Sequence, residues 1–181
     1  MIRYLALLRG VNVGGKAMIK MADLKTCLLA SGLTDVATYI QSGNILFASK
    51  VTDDAELARI IHESIAKTFQ LEVAVVVLSK SEWQQIIADA PSWWGQDPEW
   101  KHNLQIMLKP YDMAATVAAI GILKPDIEAM KPGAGVLYQS MSKALFGRTT
   151  TGKLASSPIY KQMTIRNHNT ATKLLALLEQ M

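Results

Sequence analysis

The amino-acid sequence predicts an α+β protein made of two consecutive βαββαβ units. Short apolar runs alternate with amphipathic helical segments, and the same order of segments occurs in each half of the chain. Turns rich in glycine, asparagine or proline separate neighbouring apolar runs, as in the hairpins of an antiparallel sheet. Half of the 181 residues are hydrophobic and 19% are charged, which is ordinary for a globular chain with a sizeable core.

The first half begins with a run at residues 2–8 that is apolar apart from Arg3, which is typical of a strand buried on both faces. Apolar residues at helical spacing predict a helix that begins at Met21 and stops at Gly32. The segment Q-S-G-N at 41–44 predicts a hairpin turn, because glycine and asparagine tolerate positive φ. The predicted strands are 2–8, 36–40, 45–47 and 73–78, and the predicted helices are 21–31 and 54–69.

The second half has the same order, with the turn K-P-G-A-G between its two middle strands. The predicted strands are 104–108, 127–130, 136–141 and 162–165, and the predicted helices are 112–120 and 150–160. A connecting helix at 79–90 begins with the capping box of Ser79 and Glu82, and a tryptophan-rich connector follows it. Asn169 is expected to cap a last amphipathic helix.

Each half is therefore expected to form a ferredoxin-like subdomain with an antiparallel sheet. The expected boundaries are 1–78 for the first subdomain, 79–101 for the connecting helix and tryptophan-rich linker, and 102–181 for the second subdomain with its C-terminal helix. No repeat is visible at the level of residues, so the sequence leaves open whether the halves arose by duplication or resemble each other by coincidence.

Composition also bears on where the protein acts. The single cysteine, Cys27, excludes an internal disulfide and is compatible with a reducing compartment. No apolar run approaches the roughly 20 residues that a membrane span needs, and the N-terminal run is too short for a signal peptide. We therefore expect a cytoplasmic protein that does not bind membranes. The net charge is +4, and basic residues concentrate at both ends of the chain.

The segment R-G-V-N-V-G-G-K-A-M-I-K at 9–20 places a glycine-rich turn between the first strand and the first helix. Residues 10–17 of this segment match the phosphate-loop pattern G-x-x-x-x-G-K-[ST] except at the last position. Ala17 lacks the hydroxyl that binds magnesium in that motif, which argues against a nucleoside triphosphatase. Glycine amides near a helix N-terminus, flanked by lysines, can still hold a phosphate or carboxylate without a metal. Alternatively, the glycines only allow the chain to turn.

The first two strands of a βαββαβ unit run in the same direction, so the glycine loop and the 41–44 hairpin should be neighbours. We expect Gly14, Gly15, Lys16 and Lys20 to contact an anion. Arg9, Asn12, Gln41 and Asn44 would fix its orientation. The complete set of predicted ligand-binding residues is Arg9, Asn12, Gly14, Gly15, Lys16, Lys20, Gln41, Ser42, Asn44, Arg166, Asn167 and Lys173.

Other chemistries find little support in the sequence. His62, His102 and His168 are isolated from one another along the chain, so neither a metal nor a cofactor is expected. The sequence does not settle whether the protein is an enzyme, or its oligomeric state. Two alternatives to a phosphate-bearing small molecule stay open. One is a nucleic-acid-binding module that uses the two basic ends, and the other is a structural or partner-binding scaffold without a ligand.

Three motifs together resemble one family. They are R-Y-L-A-L-L-R-G-V-N-V-G-G-K followed by K-M-A-D-L, then T-Y-I-Q-S-G-N-I-L-F, then Y-K-Q-M-T-I-R-N-H-N-T-A-T-K-L. The chain is similar, over essentially its whole length, to the domain-of-unknown-function family 1697. This resemblance implies a cytoplasmic, mostly bacterial protein of two ferredoxin-like subdomains with no established activity. Members of the family often have tryptophan after the Arg-Asn pair. This chain has His168 there and so departs from the family pattern.

Overall fold

The computed structural model describes residues 1–15 and 18–181 of the chain. The strands are β1 (Ile2–Leu8), β2 (Thr34–Tyr39), β3 (Asn44–Ser49), β4 (Val75–Ser79), β5 (Trp100–Met107), β6 (Glu128–Gly133), β7 (Val136–Ser142) and β8 (Met163–Asn167). The α-helices are α1 (Met21–Ala30), α2 (Asp54–Phe69), α3 (Lys80–Ala88), α4 (Met113–Ile120) and α5 (His168–Gln180). Short 3-10 helices at Phe146–Arg148, Thr151–Ser156 and Pro158–Gln162 lie between β7 and β8.

The strands form two four-stranded antiparallel sheets of equivalent topology, in the orders β2-β3-β1-β4 and β6-β7-β5-β8. In each sheet the first strand of the unit lies between the third and the fourth, which is the order of a ferredoxin-like unit. The predicted α+β fold with antiparallel sheets is confirmed. By its internal contacts the chain divides into two compact units, one of Met1–Gln85 with Lys173–Met181 and one of Ile86–Thr172.

The first unit is built around β1, which pairs with β3 on one side and β4 on the other. Its residues Tyr4–Leu8 are at most 2% exposed. Helices α1 and α2 cover one face of the sheet, where Leu24, Leu57 and Ile61 belong to the same apolar cluster as residues of β1. Burial on both faces explains why positions 4–8 of this strand are apolar in succession instead of at alternate positions.

In the second unit, the segment predicted as a helix at 150–160 forms two 3-10 helices instead of an α-helix. Pro158 lacks the amide hydrogen that an α-helix interior requires, and Gly152 is a poor helix former. A buried carboxylate on β6 also holds this segment. Glu128 accepts hydrogen bonds of 2.7–3.0 Å from the amides of Lys124, Thr150 and Thr151 and from the Thr151 hydroxyl.

The N-terminal cap of α3 agrees with the cap predicted from the sequence, whereas the cap of α5 differs. Ser79 and Glu82 form the predicted capping box, since the Ser79 amide donates to Glu82 Oε2 at 2.7 Å and the Glu82 amide donates to Ser79 Oγ at 3.2 Å. Helix α5 begins at His168, so that Asn169 lies inside the helix. Asn167 Oδ1 caps α5 by accepting from the Thr170 amide at 2.8 Å.

Within residues 1–15 and 18–181, no helix is both long and apolar enough to cross a membrane.

Candidate functional site

The loop between β1 and α1 lies beside the hairpin between β2 and β3, as the strand order predicts. Asn12 connects them, because its Nδ2 donates to the carbonyl oxygens of Gln41 and Ile19, both at 2.8 Å. Its Oδ1 accepts from the Ile19 amide at 2.7 Å. A single side chain therefore closes the loop on itself and fastens it to the hairpin.

The backbone of this region depends on residues that adopt positive φ. Gly14 and Gly15 have φ of 61° and 73°, and Asn12 itself has φ of 56°. Gly43 is constrained in addition by space, because a Cβ at that position would lie 2.6 Å from Leu8 Cβ. The Leu8 amide donates to the Gly43 carbonyl at 2.9 Å, so the end of β1 and the hairpin turn are held in direct contact.

The predicted residues of this loop and hairpin differ in how accessible they are. Gly14, Gly15, Lys20 and Gln41 are exposed, whereas Arg9, Asn12 and Ser42 are half-buried. Lys20 occupies the N-cap position of α1 and makes no side-chain capping bond. Lys16 lies outside the described residues.

Asn44 is fully buried at the start of β3. Its Nδ2 donates to the Tyr39 carbonyl and to Ser42 Oγ, both at 3.0 Å. These bonds stay inside the hairpin, so the amide of Asn44 shapes the turn and does not face solvent.

The C-terminal candidates have different surroundings. Arg166 is only 6% exposed, and its Nη1 donates to Thr164 Oγ1 at 2.9 Å and to the Ile165 carbonyl at 2.8 Å. Burial lowers the pKa of Arg166 to about 10. Asn167 is exposed but serves as the cap of α5, and Lys173 is exposed on that helix. Arg166 and Asn167 belong to the second compact unit.

The second unit contains a cavity of about 500 Å³ that sequence reasoning missed. It lies where the tryptophan-rich connector, the start of β5, the end of β7 and the start of α5 meet. We call it the connector cavity. Its lining residues are Gly95, Gln96, Asp97, Pro98, Trp100, Lys101, His102, Lys143, Asn167, His168 and Asn169.

Two histidines that are far apart in sequence line this cavity, with ring centroids 6.4 Å apart. His102 Nε2 is 2.8 Å from the Asp97 carbonyl oxygen, which can only accept, so this nitrogen carries the hydrogen. His102 Nδ1 is 2.6 Å from Ser140 Oγ. The His168 ring packs edge-on against Trp94 at a centroid distance of 4.6 Å. Among the described residues, no group of three or more His, Cys, Asp or Glu side chains could hold a metal ion.

The buried Trp94 anchors the connector to the second sheet. Its Nε1 donates to the Asn103 carbonyl at 3.0 Å, and its ring meets that of Tyr138 edge-on at 5.7 Å. Trp94 therefore packs the connector onto this half of the chain. The available sequence signals for the cavity were the triplet W-K-H at 100–102 and the N-H-N at 167–169.

The two ferredoxin-like units, each with a four-stranded antiparallel sheet, define a protein of the α+β class. The chain belongs to the family described as "Protein of unknown function (DUF1697)", which matches residues 1–138. It is also similar to a solved structure, that of the conserved bacterial protein SP0830 from Streptococcus pneumoniae. The two share 29% sequence identity over 98% of each chain, with a TM-score of 0.87. No curated protein matches the sequence significantly.

Proposed function

We propose that the protein binds a phosphate-bearing or other anionic small ligand at the β1–α1 loop and the β2–β3 hairpin. The observation that carries this proposal is the set of three hydrogen bonds made by Asn12. They fix the loop in one conformation before any ligand arrives, which lowers the entropy cost of binding.

The electrostatics of the loop favour an anion. Exposed backbone at Gly14 and Gly15 precedes the N-terminus of α1, where helix amides and the helix dipole present positive charge. Lys20 is exposed at that N-terminus, and Arg9 lies at the other end of the loop. In the sequence, Lys16 is the third basic residue of the segment 9–20, together with Arg9 and Lys20.

The supporting residues divide by burial. Asn44 and Ser42 hydrogen-bond to each other and hold the turn, whereas Gln41 is exposed beside the loop. In the proposal, Gly14, Gly15, Lys16 and Lys20 contact the anion, and Arg9 and Gln41 orient the rest of the ligand. Asn12 and Asn44 keep the two segments in place.

A ligand panel tests this proposal. Thermal unfolding of the whole chain is followed at low salt with nucleotides, sugar phosphates, short single-stranded RNA and sulfate. A ligand at 100 times its dissociation constant should stabilise the fold by about 2.7 kcal/mol. Lys16→Ala and Lys20→Ala should abolish most of this stabilisation, whereas Lys25→Ala, at an exposed position in α1, should preserve it.

The outcomes separate the three functional hypotheses. A selective shift from one phosphate compound that depends on Lys20 supports the proposal. A shift from RNA alone, with a steep loss of affinity as salt rises, favours the nucleic-acid module. A panel without any shift favours the scaffold, with the glycine loop acting as a turn.

A further inference from the structure

The connector cavity offers a second binding site that is independent of the glycine loop. Its volume of about 500 Å³ falls within the range of roughly 300–1,000 Å³ that is usual for small-molecule sites. All of its lining residues belong to the second compact unit. Binding here would therefore persist when the β1–α1 loop is altered.

The charged groups of the cavity favour an anion. Lys101 and Lys143 line it, and Asp97 supplies the one carboxylate among the described lining residues. Lys143 Nζ donates to the Pro98 carbonyl at 2.6 Å, and Lys101 Nζ lies 5.4 Å from the centroid of the Phe146 ring. Both contacts position an ammonium group without neutralising it. Within the described part of the chain, neither lysine forms an ion pair with a carboxylate.

The remaining lining suits a ligand larger than a simple anion. Trp100 contributes a half-buried indole, the kind of side chain on which planar bases stack. Asn167 and Asn169 contribute exposed amides whose Nδ2 groups can donate hydrogen bonds to a ligand. Their oxygens have partners in the fold, since Asn167 Oδ1 caps α5 and Asn169 Oδ1 lies 3.2 Å from His168 Nδ1. An aromatic side chain, amides and two ammonium groups in one cavity together match a planar base that carries a phosphate.

The walls of the cavity are fixed by specific contacts. His102 is held at both ring nitrogens, by Ser140 and by the Asp97 carbonyl. Gly95 has φ of 90° and approaches His168 so closely that a Cβ there would lie 2.3 Å from His168 Nε2. These contacts fix the connector against the two histidines, so the cavity is formed before a ligand binds.

From these observations we propose that the connector cavity binds a nucleoside monophosphate. Lys101 and Lys143 bind the phosphate, Trp100 stacks on the base, and the Asn167 and Asn169 amides contact the sugar or the base edge. This proposal names a specific phosphate-bearing ligand, and it places that ligand at residues of the second compact unit, not at the glycine loop.

Isothermal titration calorimetry on the full chain tests the proposal with the four ribonucleoside monophosphates. The matching nucleosides and inorganic phosphate are titrated for comparison. We expect at least one monophosphate to bind more than tenfold more tightly than its nucleoside and than phosphate. Lys101→Ala, Lys143→Ala and Trp100→Ala should each weaken it by about tenfold, since a hydrogen bond to a charged group or one base stack contributes about 1.4 kcal/mol or more.

Matched variants assign the binding to one place. Lys161→Ala, exposed in the second unit but outside the cavity, and Lys20→Ala, in the glycine loop, should leave the affinity unchanged. The proposal is overturned if no monophosphate binds, or if phosphate alone binds as tightly. It is equally overturned if affinity survives loss of both cavity lysines, or if it falls with Lys20→Ala instead.

Discussion

The side chain of Asn12 donates a hydrogen bond of 2.8 Å to the backbone carbonyl of Gln41, a residue 29 positions later in the chain. The same amide group also holds the carbonyl of Ile19 at 2.8 Å. The conformation of the glycine loop therefore depends on the hairpin between β2 and β3, because the Asn12 side chain binds the backbone of both segments.

Replacing Asn12 tests this dependence directly. Asn12→Ala removes three hydrogen bonds and leaves alanine at a positive φ, so we expect the free energy of unfolding to fall by about 2–4 kcal/mol. Asn12→Gly loses the same bonds without the backbone strain and should be about 1 kcal/mol more stable than the alanine variant. Urea unfolding measures both. Wild-type stability in Asn12→Ala would show that the loop does not need this side chain.

The buried carboxylate of Glu128 should make stability depend on acid pH. Burial by itself raises the pKa of Glu128, but hydrogen bonds from Thr151, Thr150 and Lys124 together outweigh burial and lower this pKa below its ordinary value of 4.5. The unfolded chain therefore binds the proton more readily. The stabilisation is complete above the unfolded pKa and is lost as the pH falls through the folded pKa.

Glu128→Gln should cost about 2 kcal/mol or more at pH 7, because an amide cannot accept all four hydrogen bonds. The difference between wild type and variant should shrink as the pH falls below about 4. Urea unfolding at a series of pH values measures this difference. Thr151→Val, which removes only the hydroxyl donor, serves as a milder comparison. A difference that does not change with pH would contradict the assignment.

Gly95 should tolerate no side chain. Gly95→Ala places a methyl group against His168 and forces alanine to a φ of 90°, and we expect a loss of about 1–3 kcal/mol. Gly147→Ala is the control, since that position has ordinary φ and no atom within 4 Å of an added Cβ. Combining Gly95→Ala with His168→Ala should cost less than the sum of the two single changes. Full additivity in thermal unfolding would show that the ring is not the obstacle.

Tyr138 should make stability depend on alkaline pH. Burial, with a smaller contribution from Asp89, raises the pKa of Tyr138 to about 12, while the unfolded value is 10.0. A raised pKa gives stability that is complete below pH 10 and is lost as the pH rises through 12. The hydroxyl also donates to the Ile86 carbonyl at 2.5 Å.

Tyr138→Phe should therefore be less stable than wild type at pH 7 by about 1 kcal/mol. This deficit should narrow between pH 10 and 12, because the wild type loses stability there and the phenylalanine variant has no phenol to ionise. Chemical unfolding across this range provides the measurement, with the exposed Tyr111→Phe as a control. A deficit that stays constant to pH 12 would count against burial as the cause of the shifted pKa.

Much of the fold could be predicted from local signals. The apolar run at 2–8, the capping box at Ser79 and the Q-S-G-N turn each act over a few residues, so the sequence alone specifies them. The proximity of the glycine loop and the hairpin also followed, because strand order fixes which loops share an end of the sheet. The segment at 150–160 was predicted as an α-helix from its apolar spacing, which is compatible with either an α-helix or a 3-10 helix. Gly152 and Pro158 are local signals against an α-helix, whereas the hydrogen bonds to Glu128 form only in the folded chain.

What the sequence by itself determined is the α+β class, the order of elements and the position of the glycine loop. Only the tertiary structure decided which side chains lie together. Asn44 and Arg166 appear in sequence as polar candidates, and burial in the folded chain removes both from solvent. Trp100, Lys143 and His168 line one cavity although they are far apart in the chain. Their meeting depends on the pairing of β5 with β7 and β8, and the strands' own composition does not specify that long-range pairing.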